Sequence, residues 1–255
     1  MKIGFLGVGE LTEKLLRGLL NVSQDREFYL SPRSSLRVKA LSENAACTVL
    51  TSNQAVVDKA DIIIIGVRPE ALASLAGEVV FRPEQTVVSL MAGVSRDVLQ
   101  QLFNTRNPVR LMMTYAAEIN KTTVVLTDCS MAIQDLLSGL GDTLIMLNET
   151  DFELATVGMC MNGWLYSFAE QLQSWFEDKG MNQEQARRIV LGALRDCAEY
   201  ATHQADRSLN ELSKSIATPG TYTALGLEKL EHMQAAKPWT NAAESVFSAL
   251  FNHSC

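Results

Sequence analysis

Only 6 prolines and 15 glycines punctuate the 255 residues, with no stretch dominated by either. That scarcity, beside 47% hydrophobic residues, excludes collagen-like, low-complexity and disordered classes and fits a packed core. Histidine is rarer still: His203, His232 and His253 form no H-x-x-x-H pair, which excludes a His-rich metal site. The cysteines (Cys47, Cys129, Cys160, Cys197, Cys255) are odd in number and far apart, with no C-x-x-C. A disulfide framework and a structural zinc are therefore not expected, and reduced thiols in a cytoplasmic protein are. No metal is expected. Long apolar runs are absent, since the longest, Ile62 to Val67, falls far short of the roughly 20 residues a membrane-spanning helix needs. The first residues carry Lys2 and then Glu10 and Glu13, the wrong charge pattern for a signal peptide. An excess of basic residues is also missing. Lys and Arg number 22 against 29 Asp and Glu, a net charge of −7, so neither nucleic acid nor a membrane is an expected partner.

Short β-branched runs alternate with amphipathic segments over the first 148 residues. Strands are predicted at Lys2–Leu6, Phe28–Leu30, Thr48–Leu50, Ile62–Val67, Thr86–Leu90, Val109–Met113, Thr122–Leu126 and Thr143–Leu147. Runs such as IIIIGV and TVVSL are apolar without alternation, as strands covered on both faces are. The fold class is α/β, a doubly wound parallel sheet, with a dinucleotide-binding domain over 1–148. From Glu149 the strand signal ends, and 149–255 is expected to be all helical. Thr150 with Glu153 and Ser208 with Glu211 fit the S/T-x-x-E capping box, and Asn182 with Gln185 is a weaker form. After Asn182 a stripe of Ala186, Val190, Ala193, Leu194, Cys197 and Ala201 is flanked by Ile189 and Leu191 off the stripe. A helix apolar on more than one side in so small a half predicts burial against a second subunit.

Lys2-Ile-Gly-Phe-Leu-Gly7-Val-Gly9-Glu-Leu-Thr12 reads as a strand, a Gly-x-Gly turn and a helix. Gly7 suits the tight turn, Gly9 lets the backbone approach a pyrophosphate, and the helix N-terminus presents N–H groups to its oxygens. The third small position is Thr12, a departure expected to loosen helix–strand packing. About 20 residues on, an Asp or Glu would mark a cofactor with a free ribose 2′-hydroxyl. Ser31-Pro32-Arg33-Ser34-Ser35 stands there instead, and Arg33 with Ser31 and Ser34 suits a 2′-phosphate, hence NADP(H). An ordinary polar turn remains the alternative.

In order and spacing, Gly4-Phe-Leu-Gly7-Val-Gly9, Ala60-Asp-Ile-Ile-Ile-Ile-Gly-Val-Arg68-Pro69 and Val88-Ser-Leu-Met-Ala-Gly93-Val-Ser95 resemble pyrroline-5-carboxylate reductases. The helical half continues the likeness with Lys179-Gly-Met, Glu184-Gln-Ala-Arg, Leu191-Gly192 and Ala217-Thr218-Pro219-Gly220-Thr221-Tyr222-Thr223. The resemblance implies a Rossmann domain, a helical domain that interlocks with its twin in a homodimer (with larger rings possible in the family), and reduction of a cyclic imine to proline by NAD(P)H. It further implies cofactor contacts at Gly7, Val8, Gly9, Glu10, Leu11, Val67, Arg68, Pro69, Ala92 and Gly93. Arg68 could equally be a solvated loop residue. Substrate contacts are implied at Thr218, Pro219, Gly220, Thr221, Tyr222, Gly163 and Tyr166, with Thr223 near the imine nitrogen as the catalytic group. Read bottom-up, 218–223 is also an ordinary helix entry, with Thr218 capping and Pro219 in the first turn.

Three segments depart from the family pattern. Met112-Met113-Thr114-Tyr115-Ala116 replaces Met-Pro-Asn-Thr-Pro, Met161-Asn162-Gly163-Trp164-Leu165-Tyr166 replaces Gly-Ser-Gly-Pro-Ala-Tyr, and Thr221 replaces the second glycine of Pro-Gly-Gly-Thr-Thr. Three readings stay open: an ordinary proline-forming reductase, a paralogue whose pocket Met113, Tyr115, Trp164 and Tyr222 reshape for another imine, and an NADP-binding regulatory or scaffolding protein without turnover.

Overall fold

The computed structural model describes residues 1–22, 25–32 and 36–253. Its strands are β1 (Lys2–Leu6), β2 (Glu27–Leu30), β3 (Cys47–Val49), β4 (Ile62–Ile65), β5 (Thr86–Ser89), β6 (Val109–Met112), β7 (Thr122–Leu126) and β8 (Gly141–Ile145). Helices α1 (Glu10–Val22), α2 (Leu36–Leu41), α3 (Asn53–Lys59), α4 (Leu72–Glu78), α5 (Arg96–Phe103) and α6 (Met131–Leu137) lie between them. The remainder is α7 (Glu149–Asp178), α8 (Gln183–His203), α9 (Leu209–Ile216), α10 (Tyr222–His232) and α11 (Ala236–His253).

The sheet order is β3-β2-β1-β4-β5-β6-β7-β8. Each strand's alternate residues face opposite layers. Ile3, Phe5, Ile62 and Ile64 join Leu15, Leu16 and Leu19 of α1 and Ile133 and Leu136 of α6 in one core. Leu6, Ile63 and Ile65 join Val56, Leu72, Leu75 and Leu99 of α3, α4 and α5 in the other. Both faces of IIII are thus buried, which is why the run does not alternate.

The sheet differs from an all-parallel one at a single pair, where β7 runs antiparallel to β6. Only 113–121 join them, with a 3-10 turn at Tyr115–Ile119, and so short a link cannot hold the crossover that parallel neighbours require. The last strand lies at Gly141–Ile145 rather than Thr143–Leu147. Helix α7 starts under Asn148, whose Oδ1 accepts from Asp151 N–H at 2.8 Å, so Thr150 is not its cap. Asn182 and Ser208 do cap α8 and α9, the latter as a reciprocal capping box with Glu211.

By internal contacts the chain divides into Met1–Met159 with Val246–Cys255, and Cys160–Ser245, a division that falls inside α7. The second unit buries little apolar area within one chain. Leu172, Trp175, Ile189, Leu191 and Tyr200 are all more than a third exposed. No helix among the described residues is long and apolar enough to cross a membrane.

Candidate functional site

The site begins at the carboxyl end of β1, where the chain must turn sharply into α1. Gly7 has φ +89°, and a Cβ there would lie 2.7 Å from Val67 Cγ1, so both backbone and packing demand glycine. Gly7 N–H donates to Ser31 Oγ at 3.1 Å, tying the turn to the end of β2. Ser31 is buried. Its hydroxyl therefore braces the glycine turn.

Gly9 is different. A Cβ there would meet nothing nearer than Gly66 O at 3.8 Å, so the protein's own packing does not require glycine. Glu13 N–H donates to Gly9 O at 2.9 Å as the first turn of α1 closes. The N–H groups of Glu10, Leu11 and Thr12 therefore have no intrahelical acceptor and carry the positive end of the helix dipole. Gly7, Val8 and Gly9 line a cleft of about 490 Å³ opposite Gly66, Val67 and Arg68, with Glu70 and Ala71 completing the wall. Arg68 thus borders the cleft, and Pro69 opens the short 3-10 turn behind it. Ala92 and Gly93, beyond the end of β5, lie at the neighbouring strand end and outside this lining.

Thr12 does not loosen the packing. It is 2% exposed, and its Oγ1 fills the space a Cβ on Gly66 would need, only 2.1 Å away. Here the strand end supplies the small residue that lets helix and strand approach.

Arg33 and Ser34 lie outside the described residues. A cation that the sequence reading missed is Arg37, the second residue of α2, which reaches Glu10 at 3.4 Å and Glu13 at 2.9 Å. The signal was available, because a second arginine stands four residues after Arg33 in the same segment. Glu10 itself is half exposed, at the N-terminus of α1.

The loop after β6 has lost its family prolines but not its definition. Thr114 caps the 3-10 turn through Ala116 N–H, and its own N–H donates to Thr122 Oγ1 at 3.0 Å. Asn120 Nδ2 donates to Gly18 O and Gly139 O at 2.9 and 3.1 Å. Glu118 accepts from Lys14 at 2.6 Å, and this hydrogen bond raises the lysine's pKa above its usual 10.5. Side-chain bonds to α1 thus replace ring rigidity. Met113, expected to reshape a pocket, is instead 3% exposed within the core shared by α1 and the sheet, because its side chain follows the inward alternation of β6. Tyr115 remains about half exposed.

In the helical unit Gly163 and Tyr166 are exposed on α7. Trp164 and Phe168 meet Trp239 edge-on, at ring separations of 6.4 and 5.9 Å. These three rings frame a groove of about 350 Å³ with Gly163, Ser167 and Pro238. At the entry to α10, Thr221 is the cap, accepting from Ala224 N–H at 3.1 Å, while its own hydroxyl donates to Thr218 O at 2.8 Å. The helix therefore starts three residues later than a Thr218 cap implies. Thr221 has φ −88° and ψ 155°, an ordinary extended backbone, so a second glycine is not needed there. Tyr222 and Thr223 occupy the exposed first turn, and their N–H groups have no intrahelical acceptor.

Arg110 on β6 is fully buried, ion-paired to Glu149 and Glu153, with its guanidinium 4.2 Å from the centre of the Phe152 ring. The strand expected at Val109–Met113 contains it, but nothing in the sequence pattern signals its buried partners. Among the described residues no group of His, Cys, Asp and Glu could hold a metal ion.

Two family models match. One, described as NADP oxidoreductase coenzyme F420-dependent, covers residues 2–93, and the other, pyrroline-5-carboxylate reductase dimerisation, covers 149–249. Pyrroline-5-carboxylate reductase 2 of Bacillus subtilis is 26% identical over 245 residues, 90% of this chain and 87% of the relative. The 1-pyrroline-5-carboxylate reductase structure from Streptococcus pyogenes superimposes with a TM-score of 0.86 at 25% identity, covering 99% of this chain and 98% of that one. A Plasmodium falciparum pyrroline carboxylate reductase with NADP bound shares the fold, with a TM-score of 0.87 at 20% identity over 100% of this chain and 98% of that one. With a Rossmann sheet ending in a glycine-lined cleft and a helical half matching the dimerisation model, the chain is a divergent member of the pyrroline-5-carboxylate reductase family of oxidoreductases.

Proposed function

We propose that the protein is an NADP(H)-dependent reductase of a small cyclic imine carboxylate, pyrroline-5-carboxylate being the default substrate. The observation that carries this reading is Gly9, a glycine the fold does not require, set at the N-terminus of α1 on the wall of an open cleft. Close approach of a ligand's pyrophosphate is the physical reason for a missing side chain at such a place. When bound, NADP(H) supplies the hydride for the imine carbon.

The chain's residues do the rest. Gly7, Val8, Gly9, Glu10 and Leu11 present backbone to the pyrophosphate, and Ser31 holds that turn in place. Arg33 and Ser34 take the 2′-phosphate. Val67, Arg68 and Pro69 flank the dinucleotide, and Ala92 and Gly93 flank its nicotinamide end. The turn Thr218, Pro219, Gly220, Thr221 and the free N–H groups of Tyr222 and Thr223 receive the substrate carboxylate at a helix N-terminus, without a charged side chain. The Thr223 hydroxyl orients the imine nitrogen and relays its proton. Gly163 and Tyr166 lie on the substrate side of α7. A second copy of the chain covers the exposed apolar faces of α7 and α8 in a homodimer.

Purified protein tested with pyrroline-5-carboxylate and a panel of cyclic imines should oxidise NADPH, and Thr223→Ala should lose most turnover while still binding NADPH. Tight NADPH binding without turnover across the panel would instead mark a regulatory binding protein. Turnover with another imine but not pyrroline-5-carboxylate would mark a reshaped pocket. Arg33→Ala should raise the NADPH KM by about tenfold or more, the scale of a charge-assisted phosphate contact, and leave the NADH KM nearly unchanged. Equal effects on the two cofactors would remove the 2′-phosphate assignment.

A further inference from the structure

The buried guanidinium of Arg110 joins three elements at once. It pairs with Glu149 and, at 2.7 Å, with Glu153 at the start of α7, and its Nη2 donates to Met91 O at 3.5 Å. The other oxygen of Glu149 accepts from Arg96 N–H at 3.3 Å. One ion pair therefore grips both ends of the Met91–Arg96 loop, the segment that connects β5 to α5. At the first of those ends, Ser89 Oγ, on the last residue of β5, accepts from Met91 N–H at 3.2 Å.

The same pair underlies the loop through packing. Phe152, on which the guanidinium stacks, forms a cluster with Met112 and Val125, and both Ala92 and Leu11 pack against it. Leu11 belongs to the first turn of α1 and Ala92 to the loop, so the two backbone segments assigned to the dinucleotide pack against one small cluster that contains Phe152. Buried ion pairs are poor sources of stability, because removing two charges from water offsets most of their attraction. What such a pair supplies well is a fixed geometry, since the planar guanidinium accepts partners only in set directions.

We infer that Arg110 and Glu149 act as positioning residues, clamping the Met91–Arg96 backbone so that Ala92 and Gly93 meet the nicotinamide end of the cofactor. The inference rests on the cofactor reading above. Full-length Glu149→Ala and Glu149→Gln, both changed at a partly exposed position, are compared with wild type by amide hydrogen exchange without cofactor, by NADPH titration and by steady-state kinetics.

Glu149→Ala should speed exchange of the Ala92–Arg96 amides about tenfold while β1 and α1 stay protected. It should also raise the NADPH dissociation constant and lower kcat several-fold at a temperature where the protein is fully folded. Glu149→Gln keeps one acceptor oxygen, enough for Arg96 N–H or for the guanidinium but not for both, and should recover only part of the loss. Unchanged loop exchange in Glu149→Ala overturns the clamp. A loosened loop with unchanged NADPH affinity and kcat overturns its role in positioning and leaves a structural brace. If wild type itself binds no NADPH, the cofactor reading fails, whereas the exchange comparison still decides whether the clamp exists.

Discussion

Thr12 and Gly66 share one small volume. A Cβ built on Gly66 would sit 2.1 Å from Thr12 Oγ1 and 2.9 Å from Gly7 O. The contact holds α1 close to the end of β4, directly beneath the cleft. Gly66→Ala should therefore cost about 1–3 kcal/mol, the usual scale of overpacking a filled interior. Adding Thr12→Ala should recover part of that loss, but not all, because the Gly7 carbonyl stays in place. Chemical denaturation of the two single variants and the double variant measures the coupling. Simple additivity would mean that the two residues do not compete for the same space.

The two glycines of the turn should separate folding from binding. Gly7→Ala forces a side chain onto a left-handed backbone and into Val67, and should destabilise the protein by about 1–3 kcal/mol. Gly9→Ala faces neither obstacle. It should melt within a few degrees of wild type yet bind NADPH at least about tenfold more weakly, since a methyl group stands where the pyrophosphate must approach. A Gly9→Ala variant with unaltered affinity would show that the dinucleotide lies elsewhere.

Much of this architecture was legible in local pattern. All eight strands occur at or beside the expected runs, and β4, buried on both faces, is continuously apolar. The capping box at Ser208 and Glu211 and the cap at Asn182 were equally readable, being four-residue chemistry. Long-range arrangements were not. Nothing near Arg110 in sequence signals that Glu149 and Glu153, about forty residues on, will meet its guanidinium. The antiparallel β7 follows from a link length whose meaning depends on which strands become neighbours. Met113 looked like a pocket residue because the family motif surrounds it, yet alternation along β6 turns its side chain into the core. Gly9 was readable as a glycine, but only the empty space around it shows that the fold leaves it free.

The capping box also sets a pH dependence. Hydrogen bonds from the Ser208 N–H and hydroxyl, each 2.8 Å from Oε2, hold the Glu211 carboxyl below its ordinary value of 4.5. A carboxyl with a lower pKa in the folded state binds fewer protons there than in the unfolded chain. Its contribution is therefore complete above the unfolded value and fades as pH falls through the folded one. The melting temperatures of wild type and Glu211→Gln should converge as pH falls through the folded value and keep a constant separation well above the ordinary value of 4.5. A separation independent of pH would mean that the ionised carboxylate adds nothing to the cap.

The helical unit makes the strongest demand for a partner. Along α8 only Ala186 and Val190 are buried within one chain, whereas Ile189 is 47% and Leu191 40% exposed. Those two side chains flank the buried stripe on both sides, a distribution suited to a helix packed against more than one neighbour. Replacing both with glutamate leaves the interior of the first unit untouched but places two charges on the face proposed to meet a second subunit, where desolvation without a partner is costly. The double variant should sediment as a monomer at concentrations where wild type is a dimer. Its NADPH affinity should change little, because the cleft is built wholly from the first unit. Turnover should fall far more than cofactor binding if the substrate turn at Thr218–Thr223 is held in place by the interface. A variant that stays dimeric with both glutamates in place would show that α8 is not the helix the second subunit covers.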